Sequence, residues 1–154
     1  MDILGVRPDV RIVAGTVDEG IDGYRPPSLD CAEQLCTDLE IEFITISYKD
    51  LDFEEMDTVA SLIPDITKKD SNAPRMPCSY CGVFRRQGIN HLAKKVGADV
   101  IALGHNLDDM AQTVLMNMSN GDLERTLRLA PHTTTPIDGL PPRIVPLRLS
   151  LIHI

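Results

Sequence analysis

Cys78-Ser79-Tyr80-Cys81 places two thiols three residues apart, directly after Pro77 and at the start of a stretch with helical character. On a helix both sulfurs project from nearly the same face, and Arg85 joins them within roughly 60° of arc. Helix N-terminal amides and a neighbouring guanidinium both favour thiolate over thiol. Such a pair can ligate iron or zinc, exchange disulfides or act as a nucleophile, and the spacing does not choose among these. Cys31 and Cys36 point about 140° apart on a helix, so they cannot share one metal without unwinding. Cys36 falls on a face with Leu29, Ala32 and Leu39 and reads as a buried thiol. Cys31 reads as a surface thiol. The Cys78/Cys81 pair is therefore two ligands short of a closed zinc site, and one short of an open metal centre.

Two further segments have chemical potential. Gly104-His105-Asn106-Leu107-Asp108-Asp109 follows an apolar run and opens a helical pattern. Gly104 lets a ligand approach the backbone, and Asn106 is an N-cap candidate. Asp108 and Asp109 suit the positive end of a helix dipole, or a magnesium ligand and proton acceptor beside a nucleotide. Val17-Asp18-Glu19-Gly20-Ile21-Asp22-Gly23-Tyr24-Arg25 leaves another apolar run with two glycines. Its backbone could frame a purine with Arg25 near a phosphate, or it is a plain loop. His132 and His153 have no partner spacing, His91 lies beside the apolar face of a helix, and all three read as structural.

The elements that must position these residues alternate. Strands are expected at Val10–Val17, Ile41–Ser47, Ala98–Leu103 and Arg143–Leu147. Helices are expected at Ser28–Leu39, at residues 54–63, and at Cys78–Val96, where Gly97 stops the last of these. A further helix repeats Met110, Val114 and Met118, and polar, proline-bearing loops are expected at 64–77 and 129–142. Ala98–Leu103 is apolar enough for burial on both faces. Strand–helix alternation implies right-handed crossovers and a parallel sheet covered on both sides. Ligands of such sheets sit at the carboxyl ends of the strands. Asp18–Gly23, Tyr48–Asp50 and Gly104–Asp109 are thus expected on one rim.

The chain has 154 residues, 43% hydrophobic and 25% charged, in the range of an ordinary globular domain. No apolar run reaches the roughly 20 residues of a membrane span, and no signal-peptide pattern opens the chain. The expectation is a cytoplasmic protein with reduced thiols and no membrane partner. A net charge of −8 argues against nucleic-acid binding by the whole surface, but the charge is uneven. Residues 1–65 sum to −12, whereas residues 66–130 sum to +3 and include Lys68, Lys69, Arg75, Arg85, Arg86, Lys94, Lys95, Arg125 and Arg128. That asymmetry permits an anionic partner on one face.

Taken together, Pro77–Arg86, Gly104–Asp109 and Thr113-Val114-Leu115-Met116-Asn117 resemble the tRNA thiolation enzymes of the PP-loop ATP pyrophosphatase superfamily. Val17–Arg25 is similar to the two-thiouridine synthetase branch, and the two-thiocytidine synthetases stand next to it. The similarity covers roughly residues 1–148. The fold that the resemblance implies is α/β, a doubly wound parallel sheet of the adenine nucleotide alpha hydrolase kind, incomplete at both ends. The chemistry implied is ATP-dependent adenylation of the C2 oxygen of a tRNA uridine, followed by displacement of AMP by sulfur. A [4Fe-4S] cluster on three cysteines is also implied, with ATP and Mg2+ as the other cofactors. By the same resemblance, Cys78 and Cys81 match two cluster ligands, Arg85 a phosphate contact and Asp109 a catalytic acid. Val17, Asp18, Gly104, His105 and Asn106 match nucleotide contacts. The implied partners are tRNA, a sulfur donor (sulfide, a persulfide or a thiocarboxylated carrier protein) and, by analogy, a second copy of the chain.

The sequence departs from the family in two respects. No Ser-Gly-Gly-x-Asp-Ser phosphate loop occurs, and no third cluster cysteine follows Arg143–Leu147. Residues 1–148 are therefore expected to be part of a catalytic domain that is inactive by itself, and 149–154 a non-native tail. Three other readings compete: a dithiol oxidoreductase, a non-catalytic metal- or nucleotide-binding module, and a PP-loop enzyme that adenylates a small molecule. The first lacks the fold order of a thioredoxin-like site.

Overall fold

The computed structural model describes residues 7–127 and 139–151. The chain divides into two compact units, Met1–Val96 and Gly97–Ile154. Arg128, His132, His153 and most of the 129–142 segment lie outside the described residues.

In the first unit, β1 (Val13–Asp18) and β2 (Glu42–Ser47) pair in parallel, with Val17 opposite Ile46. The link between them is α1 (Arg25–Asp38), a helix that starts with Pro26 and Pro27 where no intrahelical N–H is needed. A single 3-10 turn over Lys49–Leu51 follows β2, then α2 (Met56–Lys69) and α3 (Pro77–Lys95). Gly97, at φ +65°, ends α3 as expected.

Successive strand residues face opposite sides. Gly15 and Val17 therefore face α3, where a Cβ at Gly15 would lie 3.4 Å from Leu92 and Gly88 touches Val17. Thr16 faces the other side and bonds Arg25 of α1. The core lies on the α3 side: Val17, Ile46, Tyr48, Met56, Val59 and Leu92 are buried together. Cys36 is buried and Cys31 exposed, as their positions on the helix require.

The helix expected over 54–63 runs on through Pro64 to Lys69. Met56, Val59 and Ile63 anchor its buried face, while Pro64 and Ala60 are exposed. The carbonyl of Ala60, which proline leaves without its amide donor, therefore opens to water rather than to the core. Of the expected 64–77 loop, only residues 70–76 are non-helical.

The second unit pairs β3 (Ile101–Ala102) in parallel with β4 (Arg143–Ile144). Amides of Ile101 and Leu103 bond the carbonyls of Pro142 and Ile144, each at 2.9 Å. Both strands are shorter than their apolar runs, because only these residues have ladder partners among those described. Burial on both faces is not found, since Val100 and Ala102 are exposed. After β3 come α4 (Leu107–Ser119) and α5 (Leu123–Leu127). The Met110/Val114/Met118 stripe fails at its end: Met118 is exposed and Asn117 is buried instead. The described strands thus form two parallel pairs. No described helix is long and apolar enough to cross a membrane.

Gly88 sets how closely α3 approaches β1. A Cβ there would sit 2.8 and 2.9 Å from the two methyls of buried Val17. Gly88→Ala should therefore lose stability, because overpacking of about 1–3 kcal/mol outweighs the roughly 1 kcal/mol that alanine adds to a helix. At Gly82, where a Cβ meets nothing within 4 Å, the same change should gain up to about 1 kcal/mol. Urea midpoints of the two variants, moving in opposite directions, would check the assignment.

Candidate active site

The antiparallel run of α3 against β1 brings its first turns to the carboxyl end of the strand. Glu19, Tyr48, Cys81 and Arg85 meet there. Arg85 Nη2 lies 3.5 Å from Cys81 Sγ and 2.9 Å from Glu19 Oε1. Glu19 is buried, and its second oxygen pairs with Arg25 Nε. Tyr48, fully buried, places its hydroxyl 3.1 Å from the Cys81 carbonyl and 3.4 Å from Cys81 Sγ. The Phe84 and Tyr48 rings meet edge to face at 5.4 Å, and Phe53 stacks on Phe84 at 4.5 Å. This aromatic group carries the first turns of α3 on the end of β2.

Electrostatics follow from that packing. Burial pushes the Tyr48 hydroxyl far above the usual tyrosine range, and its bond to Cys81 adds to the shift. Burial works against the charge on Arg85, but Cys81, Glu19 and Tyr48 together hold its pKa above the ordinary arginine value. Arg85 is thus a permanent cation, with its side chain 55% exposed.

Beside it is a cleft of about 290 Å³, lined in part by Gly15, Val17, Ile21, Tyr24, Arg85 and Ile89. Its size suits a small organic ligand. Val17 forms part of its wall. Asp18 instead turns its carboxylate onto the Gly20 amide at 3.0 Å and shapes the loop. Gly20 is required there: φ is +65°, and a Cβ would meet the Glu55 side chain at 2.4–2.6 Å. Arg25 also lines the cleft, but its guanidinium is engaged by the protein itself. Its guanidinium binds Glu19, the Thr16 hydroxyl, the Val17 carbonyl and Ser28. Tyr48–Asp50 reaches the same end of the strand pair, where Asp50 caps the Ser47 amide and hydroxyl, each at 2.8 Å. Those bonds hold the Asp50 carboxyl below its usual range, with Lys95 contributing at longer range.

In the second unit, Gly104, His105 and Asn106 occupy the corresponding β3-to-α4 junction. Asn106 and Asp109 form a reciprocal cap: Asn106 Oδ1 accepts from the Asp109 amide at 3.0 Å, and Asp109 Oδ2 accepts from the Asn106 amide at 2.9 Å. One oxygen of Asp109 thus holds the helix start. A Cβ at Gly104 would meet nothing within 4 Å, so the surroundings do not demand glycine there. His105 is exposed.

The donor set for a metal centre is Cys78, exposed, and Cys81, half-buried, both free thiols. No group of three His, Cys, Asp or Glu side chains among the described residues could hold a metal ion. Cys31 and Cys36 on α1 do not join the pair. A three-cysteine cluster is therefore not completed by these residues, although two thiols at the start of one helix fit two of its corners. Sequence reasoning put Glu19 and Tyr48 in rim segments but gave neither a role. Their role depends on Arg85 and Cys81, distant in the chain, and no local spacing signals it.

No family model matches the chain. It is 41% identical over 127 residues to the tRNA 2-thiolation protein NcsA of Haloferax volcanii, covering 82% of this chain and 37% of that one. To the cytoplasmic tRNA 2-thiolation protein 1 of Drosophila virilis it is 39% identical over 152 residues, covering 97% of this chain and 42% of that one. Among solved structures it matches the U34-tRNA thiolase NcsA from Methanococcus maripaludis with its [4Fe-4S] cluster. The TM-score is 0.78 at 31% identity, over 98% of this chain and 46% of that chain. The chain spans about two-fifths of the length of the curated relatives it matches. Likeness in sequence and in fold agrees with the motif reading: along most of its length the chain is similar to tRNA 2-thiolation proteins.

Proposed function

We propose that the chain carries part of the catalytic core of an ATP-dependent tRNA sulfurtransferase, which replaces the C2 oxygen of a uridine by sulfur. The observation that supports this best is the convergence of Cys81 Sγ, Arg85 and Glu19 beside a cleft at the carboxyl end of β1. In the reaction, uridine O2 attacks the α-phosphorus of Mg2+-bound ATP and pyrophosphate leaves. Hydrosulfide, or its equivalent on a donor, then adds at C2. AMP departs with the former O2, the sulfur proton passes to solvent, and a C–S bond has replaced a C–O bond.

The chain's own residues have defined parts in this reading. Val17, Ile21, Tyr24 and Ile89 line the cleft that takes the nucleoside. Arg85 offsets charge on the phosphates as the P–O bonds break. Asp109 acts near the ATP, with Gly104, His105 and Asn106 as nucleotide contacts. Cys78 and Cys81 contribute two thiolates toward a [4Fe-4S] cluster, which supplies an exchangeable position for sulfide when complete. The proposal extends to a doubly wound parallel sheet, supported by a parallel strand pair in each unit. It also extends to tRNA and a sulfur donor as partners, to the cytoplasm as location, and to a homodimer by analogy.

The test is a chimera in which this chain replaces the matching span of the Methanococcus relative. After anaerobic loading, 2-thiouridine in an unmodified tRNA transcript is measured by nucleoside mass spectrometry. Arg85→Met should lower the rate by about 10²–10³, the loss typical of one preorganised charge at a reacting group. Cys81→Ser should abolish thiolation. Thiolation without ATP, or undiminished with Cys81→Ser, would refute the assignment.

A further inference from the structure

The two helices that cover the β1–β2 pair from opposite sides carry opposite charge. On the outside of α1 stand Asp30, Glu33 and Asp38, all exposed, and its only cation, Arg25, is turned inward against Glu19. Helix α3 has no acidic residue, and residues 71–98 contain none, in a chain whose net charge is −8. Gly88, Leu92 and Ala93 form the buried side of α3. At 100° per residue, Gln87, His91 and Lys94 fall on the side turned away from these, and Arg86 and Lys95 flank that side at its two edges, beside Ala93 and Gly88. All five are exposed.

Among the described residues, no carboxylate forms an ion pair with Arg86 or Lys94, although seven other pairs occur. Lys95 feels only the longer-range field of Asp50. The helix dipole accounts for Lys94 and Lys95 in the last turn. It does not account for Arg86 in mid-helix or for the missing carboxylates.

We propose that the outer face of α3, through Arg86, Lys94 and Lys95, is the surface along which the phosphate backbone of the RNA substrate lies. This rests on the reading of the protein as a tRNA-thiolation component, and adds which face of the chain meets the RNA. Charge complementarity selects the partner: cations with no carboxylate partner, Arg86 bonding the Gly82 carbonyl through Nε at 2.9 Å, are interleaved with exposed Gln87 and His91 and suit phosphates and sugar hydroxyls. The polar strip has no buried aromatic anchor of the kind that protein partners favour. The acidic face of α1 repels the same polymer and so fixes which side of the unit approaches it.

The test uses the full chain and an unmodified tRNA transcript, with fluorescence anisotropy over a range of salt concentrations. The variant Arg86→Gln/Lys94→Gln/Lys95→Gln is compared with Asp30→Asn/Glu33→Gln on α1, after circular dichroism shows both folded. The α3 variant should bind about 10–100-fold more weakly at low salt. Its slope of log affinity against log salt should be shallower by about 2–3, close to one unit per lost phosphate contact. The α1 variant should bind at least as well as the parent.

Equal affinity and slope in the α3 variant would overturn the proposed face while leaving the thiolation reading to its chimera test. Failure of the parent chain to bind tRNA would overturn it as well. Tighter binding of poly-glutamate than of tRNA at matched charge would reassign the face to an acidic protein, and again overturn the proposal. A chimera that fails to thiolate, combined with α3-dependent tRNA binding, would instead count against the sulfurtransferase reading alone.

Discussion

Glu19→Ala is expected to cost the first unit about 3–5 kcal/mol, the range for breaking a buried ion pair by removing one partner. Its carboxylate is 4% exposed and meets two guanidiniums, and Arg25, at 15%, is nearly as enclosed. Glu19 Oε2 and Arg25 Nε are both buried, and their ion pair is the only polar contact of either atom. Removing the carboxylate leaves the Arg25 charge out of water with only neutral oxygens around it. Arg85 contributes less to the loss, because its half-exposed guanidinium can turn to solvent. Glu19→Gln should cost nearly as much, since it keeps the shape and removes the charge. Urea denaturation of the chain, read at the first unit's transition, measures both. A double variant Glu19→Leu/Arg25→Met should recover much of the loss, because it removes both charges together. A loss below about 1 kcal/mol in Glu19→Ala would show that Glu19 does not anchor the loop.

The second large effect is expected at Tyr48, the one fully buried large side chain among the described residues. Tyr48→Ala should cost about 3–5 kcal/mol, as truncation of a buried aromatic ring usually does. Tyr48→Phe removes only the bonds to Cys81 and should cost about 1 kcal/mol. The two variants also separate in pH dependence. Burial raises the folded-state pKa of Tyr48 well above the roughly 10 of an unfolded tyrosine. The stability linked to its proton is therefore complete below pH 10 and is lost as pH rises from there toward the folded value. Parent and Tyr48→Phe should thus converge in stability above pH 10. A constant difference up to pH 11 would contradict the buried hydroxyl.

The alternation of strands and helices was legible in the sequence because each element carries its own period. Stops such as Gly97 and the Asn106/Asp109 cap are local rules of the backbone. Pro64 misled that reading, because whether a proline breaks a helix depends on whether its orphaned carbonyl faces water. That exposure is settled by the packing of Met56, Val59 and Ile63. Met118 misled it in the other direction, since a four-residue repeat does not say whether anything covers its end.

The sequence by itself determined the chemistry on offer: two thiols one helical turn apart, a basic residue seven positions on, a glycine-framed loop, and a charge division between the halves of the chain. These are properties of residue type and spacing, and they do not change with the partner that packs against them. Tertiary structure alone decided which charges are spent. It turned Arg25 inward onto Glu19 and Thr16, left Arg85 between Glu19 and Cys81 at the edge of the cleft, and buried Tyr48 beneath both. It also set acidic α1 and basic α3 on opposite sides of one strand pair. The physical reason is distance: a Coulombic or hydrogen-bonded partner acts over a few ångströms, and only folding brings residues 19, 48, 81 and 85 within that range.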